Sequence, residues 1–152
     1  MPEQFICLEY NNVSFLISKE EVFSATCCQP QNFISMFSEK KGGVDKRLIF
    51  ENKFLNFIDF DLYVKQLIGI ELKSEIRTSV ILKNQNLFSS DDLYALVTSA
   101  DCKVKNLNLS DFSLLSDNYA YSMKSKGIIA FNFDSDLVRY LINPCDFLKR
   151  AV

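Results

Sequence analysis

The chain contains no histidine. That absence excludes Ser-His-Asp and Cys-His catalysis, imidazole metal sites and the phosphoacceptor of a histidine kinase. Tryptophan is absent too, yet the 152 residues include 14 Phe and 6 Tyr, a supply of aromatics that favours strands over helices. No stretch approaches the roughly 18 consecutive apolar residues of a membrane-spanning helix. Met1-Pro2-Glu3-Gln4 carries an acid and leads into no long apolar run, so no secretory leader is expected. Nor is there an excess of one charge: 17 basic and 19 acidic residues leave a net charge of −2. Nucleic acids and anionic membranes are bound through concentrated positive faces. The longest basic runs here are only Lys46-Arg47 and Lys149-Arg150. Neither nucleic acid nor a membrane surface is therefore an expected partner.

What is present is enough for one folded domain. Apolar residues make up 48% and charged residues 24%, so the chain can bury a core without disulfides. Five cysteines, an odd number, and no leader fit free thiols in a reducing cytoplasm. The sequons Asn12-Val13-Ser14 and Asn108-Leu109-Ser110 then have no use.

The local patterning alternates strands with turns. Phe5 to Tyr10 and Val13 to Ile17 form a hairpin about Asn11-Asn12, because Asn tolerates a positive φ. Ser18 and Glu21 have the spacing of a capping box for a short helical turn, after which the chain extends through Thr26. From Cys28 to Lys46 the residues Pro30, Ser35, Ser38, Gly42 and Gly43 mark a loop, with Phe33 to Phe37 able to form a short helix. Arg47 to Phe50 and Phe54 to Ile58 form a second hairpin about Glu51-Asn52-Lys53. A helix from Leu62 to Ile68 starts at Asp59 or Asp61 and stops at Gly69. Arg77 to Leu82 pairs with Leu93 to Thr98 across a polar loop at 83–92. A less regular strand runs from Lys103 to Leu109, followed by loop with one helical turn through Lys124. Gly127 to Phe131 and Leu137 to Ile142 close the chain around Asp134-Ser135-Asp136, before a last helix begun by Asn143-Pro144.

The order of elements in residues 5–68 returns in 77–148, a self-similarity at a spacing of about 80 residues, too long for a solenoid. Many short strands with frequent turns predict a mainly β protein of two small related barrels, with strands exchanged between them left open.

Few groupings suggest chemistry. The carboxylate pairs Asp59/Asp61, Asp91/Asp92 and Asp134/Asp136 sit at turns or helix starts, where Asp has structural work. Cys27-Cys28 lack the two-residue gap of a metal or redox pair, and Cys7, Cys102 and Cys145 are isolated. Gly42-Gly43 lacks the length and the Lys-Ser/Thr ending of a phosphate loop. No catalytic residue, metal site or cofactor is read from these residues. Phe5, Phe15, Phe54, Phe57, Phe131 and Phe133 are assigned to the core, whereas Phe23, Phe33, Met36 and Phe37 flank loops and can anchor a partner or cover a barrel end.

The ordering from Phe5 to Leu148 resembles a CheW-like domain, the bacterial chemotaxis coupling family. Phe15 to Val22 is similar to its first hairpin and turn, and Leu48 to Phe60 to its hairpin ending in Ile-Asp-Leu. Leu96-Val97-Thr98 with Lys103-Val104 is similar to its "Leu-Val-Asp … Val-Leu" element, and Lys126 to Ile129 with Leu141-Ile142-Asn143 to its closing hairpin. The resemblance implies an all-β fold of two intertwined SH3-like five-stranded barrels, one domain spanning 1–152, and no catalysis. It implies a cytoplasmic adaptor that couples the regulatory domain of a chemotaxis histidine kinase to chemoreceptor tips through protein contacts.

The departures bear on the partner surface. Where the family reads Gly-Val-Ile-Asn-Leu-Arg-Gly, this chain reads Lys46-Arg47-Leu48-Ile49-Phe50-Glu51-Asn52. Glu51 replaces an Arg that engages receptor, and a reversed charge opposite an acidic partner is repulsive. The closing hairpin is about two residues longer, around Asn132 to Asp136. By the same matching Val22, Ser24 and Ala25 line the receptor-facing groove. The candidate protein-binding residues are Val22, Phe23, Ser24, Ala25, Phe37, Arg47, Glu51 and Asn52, with self-association open as a replacement for a lost contact. The competing reading is a small-ligand-binding or enzymatic β-barrel built on Asp59, Asp61 and Cys28. A third, an OB-like nucleic-acid binder, is disfavoured by the charge balance.

Overall fold

In the computed structural model the structure describes residues 2–38, 43–72, 76–83, 93–114 and 127–143, the side chains of 36–38 and 43–45 excepted. Along the chain the strands are β1 (Glu3–Tyr10), β2 (Val13–Ser18), β3 (Val22–Cys28), β4 (Phe33–Ser38), β5 (Gly43–Phe50), β6 (Lys53–Leu55) and β7 (Phe57–Asp59). After helix α1 (Phe60–Ile68) come β8 (Arg77–Lys83), β9 (Leu93–Thr98), β10 (Asp101–Leu107), β11 (Ser113–Leu114), β12 (Ile128–Asp134) and β13 (Leu137–Ile142). The fold is thus all-β, with one α-helix among the described residues, as the supply of aromatics predicts. Among the described residues the strands form sheets of six, four and three strands.

The chain divides into two compact units: Met1–Val22 with Ala100–Val152, and Phe23–Ser99. These boundaries differ from the linear halves 5–68 and 77–148 because the first hairpin pairs with C-terminal strands. In the first unit the sheet order is β10-β1-β2-β13-β12-β11, antiparallel except where β2 and β13 run parallel. Phe5, Ile6, Cys7 and Leu8 are buried in succession, as are Ser14 to Ile17, so both faces of these central strands are covered. Phe5, Cys7 and Leu16 form one core cluster, joined by Leu107, Phe112 and Leu141.

The second unit holds a four-stranded sheet, β3-β8-β9-β7, and a three-stranded one, β4-β5-β6. Cys28, Leu48, Leu55, Ile81, Ala95 and Val97 form its core, with Phe33, Phe50, Phe57 and Leu93 packed around them. The stretch Phe33–Ser38 is a strand paired with β5, not the loop or short helix its Ser and Met residues suggest. The single strand expected from Phe54 to Ile58 is broken at Asn56: β6 pairs with β5 and β7 with β9, in different sheets.

Local chemistry explains the turns. Asn11 has φ 50°, and Glu51 and Asn52 have φ 47° and 66°. Two successive left-handed residues are the signature of the tightest hairpin turn. Asn52 is a residue type suited to this conformation, whereas Glu51 is not. Asp59 caps α1 by accepting the Leu62 N–H at 3.3 Å, and Gly69 ends it at φ 73°, donating to the Lys65 carbonyl at 2.9 Å. The capping box expected at Ser18 is not made: Lys19–Glu21 is a single 3-10 turn without a side-chain cap bond. The expected C-terminal helix after Asn143, the loop at 84–92 and most of the loop after Leu114 lie outside the described residues.

Candidate functional site

The candidate protein-binding residues fall on β3 and on the β4-β5-β6 sheet. Val22 closes the first unit and is half-buried. From Phe23 onward β3 belongs to the second unit, with Ser24 half-buried and Ala25 exposed. The Phe23 ring, 50% exposed, meets the Phe50 ring edge to face with centroids 6.1 Å apart. This contact brings the start of β3 to the tip of the β5–β6 hairpin, where Glu51 and Asn52 are exposed. Phe23, Glu51 and Asn52, separate in sequence, therefore lie in one neighbourhood.

Arg47 is not on the same face. Leu48 and Phe50 point into the core of the unit, so Arg47 and Ile49, which alternate with them, occupy the opposite face, together with Phe54 across from Ile49. The Arg47 guanidinium donates to the Asn56 side-chain carbonyl. Phe37 pairs with Val44 in the β4–β5 ladder, and its side chain is outside the described set. Two apolar side chains assigned to the core are in fact exposed: Phe54 at 51% and Phe133 at 66%. Phe5 and Phe15 are buried, and Phe57 and Phe131 are half-buried.

Two residues of the competing reading, Asp59 and Asp61, are engaged within the second unit. Asp61 accepts hydrogen bonds from Thr98 Oγ1 at 3.1 Å, from the Ser99 amide at 3.0 Å and from Ser99 Oγ at 2.6 Å. Arg77 reaches Asp59 at 2.8 Å and Asp61 at 3.7 Å. The two carboxylates are thus a helix cap and the hub of a network tying α1 to β8 and the end of β9. Cys28 is buried, and burial pushes its thiol above the ordinary value against the opposing pull of Arg77. A raised thiol is a poorer source of the nucleophilic thiolate. Cys27 points the other way and is exposed. Burial likewise raises Cys7 and Cys102. Among the described residues no group of three or more Cys, Asp or Glu is placed to hold a metal.

In the first unit, Glu9 receives Lys103 at 3.3 Å and Lys105 at 3.4 Å. Desolvation pushes its carboxyl up, but the two ammonium groups outweigh this and hold it below the ordinary value. Among the described residues no helix is long and apolar enough to cross a membrane.

No family model matches the sequence, and no curated protein matches it. The backbone does have counterparts among solved structures, with 13 matching chains. The architecture, mostly strands in several sheets with a single α-helix among the described residues, is similar to the fold of a CheW scaffolding protein. The match in question is the crystal structure of scaffolding protein TtCheW from Thermoanaerobacter tengcongensis. It has a TM-score of 0.64 at 12% identity, covering 94% of this chain and 85% of that one.

Proposed function

We propose that the whole chain, both units together, is one CheW-like domain. It acts without catalysis as a cytoplasmic chemotaxis adaptor, coupling the regulatory domain of a histidine kinase to chemoreceptor tips. The observation that supports this most is the likeness of fold to a scaffolding protein over 94% of the chain. The ligand-binding alternative draws less support, because Asp59 and Asp61, two of its three residues, are engaged within the fold.

The receptor-facing surface in this reading is β3 with the tip of the β5–β6 hairpin. Its apolar anchor is Phe23, half exposed against Phe50. Glu51 gives that tip a negative charge, so the receptor it fits differs from the usual one in carrying a basic or neutral group opposite it.

Calorimetric titration with the regulatory domain of a chemotaxis kinase from the same organism tests the proposal. Micromolar or tighter binding is expected. Absence of binding to every such kinase removes the adaptor function and leaves only the fold.

A further inference from the structure

One face of the six-stranded sheet in the first unit changes character along its strands. Cys7, Leu16 and Leu141, side by side on β1, β2 and β13, pack together in the core. Two residues away on the same face the next row is polar. Glu9, Ser14, Arg139 and Asn132 stand each opposite the next across β1, β2, β13 and β12.

The charged members of this row are turned away from its middle. Glu9 is held by Lys103 at 3.3 Å and Lys105 at 3.4 Å. Arg139 donates from both terminal nitrogens toward β12, to Asn132 Oδ1 at 3.1 Å and to Asp134 Oδ2 at 3.2 Å. Ser14, between them, is 0% exposed, and Arg139 is 8% exposed. Among the described residues neither the Ser14 hydroxyl nor the Arg139 Nε–H has a hydrogen-bond partner. The Cys7 thiol beside Ser14 does not fill that need. Burial pushes the thiol up and the Ser14 hydroxyl pulls against the rise, but the two make no hydrogen bond of good geometry.

A buried polar group left unpaired is costly, and more so on a guanidinium. Here two such groups are directly opposite each other on adjacent strands, on one face. An Nε–H only donates, whereas a hydroxyl donates or accepts. One acceptor atom seated between them satisfies both. Adjacent strands lie only about 4.8 Å apart, which suits an occupant of one heavy atom.

We infer that Ser14 and Arg139 hold a small hydrogen-bond acceptor, a water or a halide ion, in the seam between β2 and β13. That seam is the parallel pairing that joins the N-terminal hairpin to the C-terminal one. The bound atom therefore stitches together two hairpins that are distant in sequence.

Crystals of the full chain, grown without halide and soaked in sodium bromide, test this directly. The expected result is a density peak about 3 Å from both Ser14 Oγ and Arg139 Nε. An anomalous bromine signal there identifies a halide, and a peak without one identifies water. An empty position, or a protein group filling it, overturns the inference. Ser14→Ala gives an independent reading in solution. With the hydroxyl bonded to the bound atom, the substitution should shift the unfolding equilibrium about fivefold toward the unfolded chain, read from urea midpoints. With the hydroxyl dry and unpaired, its removal relieves a buried polar group, and the variant should be at least as stable as the unsubstituted chain. That second result overturns the inference. Exchange of chloride for glutamate at constant ionic strength separates the two sources: the melting temperature falls for a halide site and holds for water.

Discussion

Asp61 takes both the backbone amide and the hydroxyl of Ser99 onto one carboxylate, at 3.0 and 2.6 Å. Ser99 is the last residue of the second unit, so this carboxylate fixes the chain where it leaves that unit. Asp59, two residues earlier, has a different task, the cap of α1. Their substitution should separate these roles. Asp61→Ala strips acceptors from Thr98 and Ser99 and should cost about 2–3 kcal/mol, since hydrogen bonds to a charged group are the strong ones. Asp59→Ala should cost about 1 kcal/mol, the usual value of a lost N-cap; its ion pair with Arg77 is too exposed to add much. Urea unfolding of the two variants measures both. Equal small effects would contradict the network as the reason for Asp61.

Glu51 sits in left-handed backbone at φ 47°, which disfavours a residue with a Cβ by roughly 1–2 kcal/mol. Glu51→Gly should therefore raise stability by up to about 1 kcal/mol, part of the relief being offset by the freer unfolded chain. Glu51→Val should lower it, because a β-branched residue fits this region worst. Thermal melts reading the opposite order would mean that the turn is not the one described.

Charge at the same position gives a separate expectation. Glu51→Arg should strengthen association with receptor tips that carry an acidic contact, by about tenfold at low salt, with the gain shrinking as salt is raised. A binding constant indifferent to the sign at position 51 would place that tip outside the receptor contact.

Two carboxylates should respond to pH with opposite signs. Glu9 is held below its ordinary value in the folded chain, the Lys103 and Lys105 pairs outweighing desolvation. Its stabilisation is complete above the unfolded-chain value and drains away as pH falls through the folded one. Glu21 is pushed above its ordinary value by burial and then by Glu20. Its folded form holds the proton more tightly, so stability falls as pH rises from the unfolded value through the folded one. At about pH 7, Glu9→Gln should lower stability and Glu21→Gln should raise it, each by about 0.5 kcal/mol. Near pH 2, as the carboxyls take up protons, the differences should shrink. Urea midpoints at the two pH values decide it.

Much of the fold was legible because it is written locally. The hairpin at Asn11, the turn at Glu51-Asn52, the helix from Asp59 to Gly69 and the β8–β9 pair each follow from neighbouring residues and their preferred φ values. What escaped is set by distant pairing. Nothing in Glu3–Tyr10 says that its second neighbour is Asp101–Leu107, so the division of the chain into units could not be read along the sequence. β4 was hidden by its serines, which read as loop although they sit in a ladder with β5. Phe133 alternates with Asn132 and Asp134 as a buried ring would, yet it is 66% exposed. The site was legible as residue types and not as an assembly. The meeting of Phe23 with Phe50 brings two candidate segments together, and Arg47 falls on the other face for the same reason of strand alternation.

The central claim is coupling, so the decisive measurement is assembly of three components. Sedimentation velocity of the chain with a cognate kinase regulatory domain and a receptor-tip fragment should show one faster species containing all three. That species should be absent when the chain is omitted and reduced by Phe23→Ala on the receptor side. Three independent boundaries, unchanged by adding the chain, would contradict the account.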